Sequence, residues 1–117
     1  MRPDHDYALV SVETTQETIL VSFSGSAVVL DGEAAPWLME LLSFLMEKLS
    51  QEHLIVDFEN VRYISSAGLG ALVSLHKQAR AAGKRLTVSG VSPDVYEPFA
   101  VTRLTNVLDI RPCAAGE

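Results

Sequence analysis

The sequence predicts a single α/β domain built on a mixed, mainly parallel β-sheet. Two observations carry this: a pair of alternating segments separated by three residues near the start, and later apolar runs that alternate with helical spacing. Residues 7–14 alternate Ala8, Val10 and Val12 against Tyr7, Leu9, Ser11 and Glu13, which predicts a strand. Residues 18–24 alternate Ile19, Val21 and Phe23 against Leu20, Ser22 and Ser24, and only Thr15, Gln16 and Glu17 intervene, so the two form a hairpin. Gly25 closes the second strand, and a short linker leads to Gly32.

Pro36 suits a first helical turn, where its missing N–H is no loss. Leu38, Leu41, Leu42, Leu45 and Leu49 then recur at helical spacing, predicting a helix to about Ser50. Leu54-Ile55-Val56-Asp57-Phe58 is a strand, and Ser65-Ser66 opens a second helix carrying Leu69, Leu72, Val73 and Ala79. Gly83 stops that helix, with Lys77 and Arg80 in its last turns where the dipole favours cations. Residues 85–91 form a further strand. Ser92 then caps a third helix with Pro93 in its first turn, and Pro98 keeps that helix short or kinks it. Residues 107–110 form a last short strand, and residues 111–117 a frayed tail. The order is β-β-α-β-α-β-α with a final β, one domain with its core over residues 7–110, and right-handed crossovers joining the parallel strands.

A net charge of −6 argues against nucleic acid and against an anionic membrane surface as partners, because both are bound through Lys and Arg. The single cysteine, Cys113, cannot form an internal disulfide, and the polar, acidic start of the chain lacks the order of a signal peptide. The most apolar stretch is broken by Glu40, Ser43, Glu47 and Lys48, so no membrane insertion is expected and a cytoplasmic location fits. His5, His53 and His76 are scattered without ligand spacing, so neither a metal site nor a cofactor is expected. No phosphate-binding glycine loop, nucleophile elbow or acid/base set is present, and nothing asks for an enzyme.

The segment that stands out runs from Asp57 to Leu72, where a strand leads into two serines at a helix start. A plain helix cap is one reading, worth about 1 kcal/mol. A phosphorylation site is the other, since a helix N-terminus is hospitable to an anion and a phosphate adds about −1.5 to −2 charges. The small neighbours Ala67, Gly68 and Gly70 leave the hydroxyl open to a kinase. The first helix also carries Trp37, Met39, Phe44 and Met46, which form either a wide core face or an exposed patch for a homodimer or a stable partner.

Ile64-Ser65-Ser66-Ala67-Gly68-Leu69-Gly70 resembles the motif that follows the third strand in the STAS domain of anti-sigma factor antagonists. The upstream run from Leu54 through Val61 and the downstream Gly83-Lys84-Arg85-Leu86…Gly90-Val91-Ser92-Pro93 are similar to that family too, as is the order of elements. The resemblance implies a protein-binding switch without catalytic residues. Its acceptor serine is Ser66, with Ser65 the second choice, phosphorylated by an anti-sigma factor that is itself a serine kinase and reset by a phosphatase. It implies a partner surface of Asp31, Ser65, Ser66, Ala67, Gly68, Leu69, Ser92 and Pro93. Asp31 corresponds to the family's aspartate only with an insertion after Gly25. Two other readings are a constitutive STAS subunit docking on the ATPase of a lipid-trafficking ABC transporter, and a small-ligand sensor.

Overall fold

The computed structural model describes residues 10–25 and 28–113. Strands β1 (Val10–Thr14) and β2 (Thr18–Phe23) form the expected antiparallel hairpin, with Val12 opposite Val21 and Thr14 opposite Ile19. Its tight link closes through Thr15, whose N–H donates to Thr18 O at 2.9 Å while its hydroxyl accepts from the N–H groups of Glu17 and Thr18. Residues 7–9 of the expected first strand lie outside the described residues.

The stretch read as a linker before Gly32 contains a strand, β3 (Val28–Leu30). Then come α1 (Ala34–Lys48), β4 (His53–Asp57), β5 (Val61–Ile64), α2 (Ser66–Ala81), β6 (Arg85–Val91), α3 (Pro93–Val101), a 3-10 turn at Leu104–Asn106 and β7 (Asp109–Pro112). Five strands form one sheet in the order β1-β2-β4-β6-β7, parallel everywhere except the opening hairpin. Strands β3 and β5 make a separate parallel ribbon that the sequence reading missed.

One sheet face carries Ile19, Val21, Phe23, Leu54, Val56, Leu86 and Val88, all buried against Leu38 and Leu42 of α1 and Leu72 and Leu75 of α2. Each such side chain contributes about 1.5–3 kcal/mol on leaving water. The two helices lie side by side and are pinned by a hydrogen bond from Ser43 Oγ to Gln78 Oε1 at 2.9 Å. The extra apolar residues of α1 mostly serve the core. Met46 is buried, Met39 packs against the core, and the Trp37 ring lies 6.2 Å from that of Phe23. Only Phe44 of the four is exposed, so the expected patch shrinks to one side chain.

The last strand falls later than expected. Val107 is exposed ahead of it, and β7 runs on through Arg111 to Pro112. Cys113 N–H donates to Val91 O at 2.8 Å, and Arg111 pairs with Asp109 at 2.8 Å. Residues 111–113 are therefore anchored rather than frayed, because β6 offers them a paired edge. Residues 114–117 lie outside the described residues.

The opposite sheet face carries a polar network beside Leu20 and Ile55. Arg85 Nη2 lies 3.1 Å from His53 Nδ1, His53 Nε2 lies 2.7 Å from Thr87 Oγ1, and Thr87 donates to Asp109 Oδ2 at 2.8 Å. An arginine only donates, so Nδ1 accepts and the proton of neutral His53 sits on Nε2, pointing at Thr87. Burial, and secondly the charge of Arg85, hold the His53 pKa below the ordinary 6.5, with Asp109 opposing. A depressed histidine binds more protons unfolded than folded, so its contribution to stability is full above 6.5 and is lost as pH falls below it. Thermal melts of wild type should therefore lose stability from pH 7 to pH 5, and His53→Gln should flatten that slope. Identical slopes would contradict the assignment.

Candidate functional site

The ribbon of β3 and β5 builds the site. Asn60 holds it to the main sheet, with its side-chain amide donating to Phe23 O at 2.7 Å and its carbonyl accepting from Val28 N–H at 2.9 Å. In the ribbon, Leu30 lies opposite Ile64, and Ser65 N–H donates to Leu30 O at 2.9 Å. The residues that follow these two strands, Asp31 and Ser65, lead into adjacent helices, Ser65 as the N-cap of α2 and Asp31 three residues ahead of α1.

Each start is capped. Ser65 has an extended backbone, and its hydroxyl accepts from Gly68 N–H at 3.2 Å. Asp31 Oδ1 accepts from Glu33 and Ala34 N–H, both at 3.1 Å, and Asp31 O accepts from Ala35 N–H. Thus α1 starts two residues ahead of Pro36, organised by an aspartate outside it, and ends at Lys48 rather than Ser50.

The expected site residues now separate by accessibility. Ser65 is half-buried and its hydroxyl is committed to the cap. Ser66, the first residue of α2, is exposed, as is Ala67. Gly68 and Leu69 are buried and support the site from beneath. Among the described residues, no protein acceptor takes the N–H of Ser66 or Ala67, whereas Gly68 N–H goes to Ser65. The first turn of α2 holds no acidic side chain. Added negative charge at Ser66 therefore meets the positive end of the helix and two uncommitted donors. Ser92 and Pro93 open α3 at the carboxyl end of β6, where the Ser92 hydroxyl caps its own helix by accepting from Val95 N–H at 3.4 Å. No hydrogen bond among the described residues joins them to the serine pair.

Two residues were missed beside the serines. Val29 and Tyr63 face each other in the ribbon and are 45% and 54% exposed. The β-branched run Val28-Val29 was the available signal, but a strand of three residues is too short for its period to register.

Gly68 is what lets α2 approach the ribbon. A Cβ there would lie 2.7 Å from Ile64 Cγ1 and 2.8 Å from Leu30 O, a backbone atom held by Ser65 N–H. Helix propensity favours alanine over glycine by about 1 kcal/mol, but overpacking costs about 1–3 kcal/mol and the carbonyl cannot step aside. Gly68→Ala should destabilise the fold. At Gly70, where a Cβ meets nothing within 4 Å, alanine should stabilise it by about 0.5–1 kcal/mol. Urea unfolding of both variants checks this, and a shared sign would contradict the packing described.

Among the described residues no three His, Cys, Asp or Glu side chains gather as a metal site, and no helix is long and apolar enough to cross a membrane. The STAS domain family model matches residues 10–114. The chain is 29% identical over 107 residues to the anti-sigma-B factor antagonist of Bacillus subtilis, covering 92% of this chain and 94% of that one. An anti-sigma factor antagonist from Mycobacterium paratuberculosis superposes with a TM-score of 0.77 at 23% identity, over 93% of this chain and 89% of that one. The phosphorylated form of the Bacillus cell fate determinant SpoIIAA superposes with a TM-score of 0.64 at 20% identity, over 87% and 90%. With the model spanning both sheets, all three helices and the serine pair, the chain belongs to the STAS domain family.

Proposed function

We propose that this chain is an anti-sigma factor antagonist: a binding protein, not an enzyme, whose hold on an anti-sigma factor is controlled by phosphorylation of Ser66. The observation that carries the reading is the Ser66 hydroxyl, exposed and uncommitted at the first position of α2, beside a serine that performs the capping. The relatives bearing that name, and the phosphorylated form among the similar structures, support it.

In this scheme the unmodified surface around Ser66, Ala67 and Asp31 docks the anti-sigma factor, which also acts as the serine kinase. Phosphate at Ser66 leaves the fold intact, because the helix end accommodates the charge. It blocks docking because a dianion has to lose its water in the interface without a partner cation. A phosphatase restores the binding form.

The test is incubation with ATP and a native lysate, followed by site mapping by mass. Phosphate is expected on Ser66 of wild type and should be absent from Ser66→Ala. Equal incorporation into Ser66→Ala would sink the assignment of the acceptor.

A further inference from the structure

A cleft lies at the other end of α2 from the serine pair. Fourteen residues of helix separate Ser66 from Arg80, a rise of about 21 Å. There the β1–β2 turn, the α1–β4 link and the α2–β6 link surround a cleft of about 810 Å³. Small-ligand sites typically occupy about 300–1,000 Å³. In a chain of net charge −6, this cleft collects His53, His76, Arg80, Lys84 and Arg85.

The cations have distinct duties. Lys84 Nζ donates to Leu49 O and Gln51 O, fixing one wall, and Arg85 is bonded to His53. Arg80 has no ion pair or hydrogen bond from its side chain among the described residues, and neither does His76 one turn earlier on the same helix. Glu17 and Glu52 also line the cleft without reaching ion-pair distance of any of these cations.

A helix C-terminus normally repels an anion, but the carbonyls of this one are closed off. Lys84 N–H donates to Ala79 O and Gly83 N–H to Arg80 O, with Gly83 at φ +76°. The remaining lining includes the hydroxyls of Thr18 and Ser50 and the amides of Gln16 and Gln51, beside Gly83 and Leu86.

We propose that this cleft binds a small phosphorylated polyol, with Arg80 and His76 holding the phosphate. Glu17, Glu52 and the neutral polar side chains of the lining receive the hydroxyl groups. A phosphate suits the planar guanidinium fork of Arg80. The two carboxylates in the lining, Glu17 and Glu52, suit hydroxyl donors and disfavour a second anionic group. The site stands independently of the Ser66 reading.

The test follows the His76 imidazole resonances by NMR while ribose 5-phosphate is added to the full chain, with ribose and inorganic phosphate run separately. Ribose 5-phosphate should give a saturable shift at concentrations below about 10 mM, ribose none, and inorganic phosphate a weaker response. Arg80→Gln should weaken ribose 5-phosphate binding at least about ten-fold, and Lys77→Gln, which alters an exposed cation of α2 outside the cleft, by less than about two-fold. Absence of a saturable shift would overturn the proposal, as would equal losses in the two variants. Inorganic phosphate binding as tightly as the ester would remove the polyol from it.

Discussion

Ser66→Asp is expected to weaken binding of the anti-sigma factor at least about 100-fold, while Ser66→Ala stays within about ten-fold of wild type. Removing an exposed hydroxyl loses at most one neutral hydrogen bond. Introducing a carboxylate places a charge that has to be desolvated when the partner docks, at about 2–5 kcal/mol where nothing neutralises it. The same carboxylate sits at the first position of α2, where the dipole favours it by about 0.3–1 kcal/mol. Binding and folding therefore move in opposite directions: Ser66→Asp should melt at or slightly above the wild-type temperature while losing its partner. A variant that lost both would show that Ser66 matters through the fold instead.

Phe58→Ala is expected to cost about 3–5 kcal/mol, a large share of the roughly 5–15 kcal/mol that hold a domain of this size together. Phe58 is fully buried, and its ring stands 6.3 Å from that of Phe23 in an edge-on arrangement worth about 0.5–1.5 kcal/mol beyond burial. Its backbone matters as well. Phe58 N–H donates to Ser89 O and Phe58 O accepts from Val61 N–H, so this residue, just past β4, turns the chain into β5 and toward the serine pair. Urea unfolding should show the loss, with partner binding weakened further when measured close to the melting temperature. A loss below about 1.5 kcal/mol would mean that the ring is not the anchor described here.

The main elements were legible where the period was long enough to be seen. Leu38, Leu42 and Leu45 of α1, and Ile19, Val21 and Phe23 of β2, are buried as their spacing predicts. Strand β3 has an alternating burial pattern but only three residues. In β5, Arg62 and Tyr63 are both exposed, which removes the alternation altogether. Their pairing joins segments about thirty residues apart, a tertiary fact that no local pattern carries.

That omission shaped the reading of the site. Asp31 looks displaced when residues are counted from Gly25, yet the pairing of Leu30 with Ile64 sets it at the helix start beside Ser65. Ser65 and Ser66 were visible as a pair, but the division between a capping hydroxyl and an open one depends on where the helix begins. The cleft at the far end draws Thr18, Ser50, Arg80 and Arg85 from four separate parts of the chain, and so was invisible along the sequence.

In the proposed switch, phosphate on Ser66 decides whether the partner is bound. The most direct measurement immobilises the wild-type chain in two forms, unmodified and phosphorylated at Ser66 alone, and identifies by mass what each captures from native lysate. The unmodified form should retain an ATP-binding serine kinase of the anti-sigma factor class, and the phosphorylated form should not. Equal capture of the same protein by both forms would contradict it, leaving Ser66 as the exposed first residue of a helix and the domain as a constitutive subunit of whatever it holds.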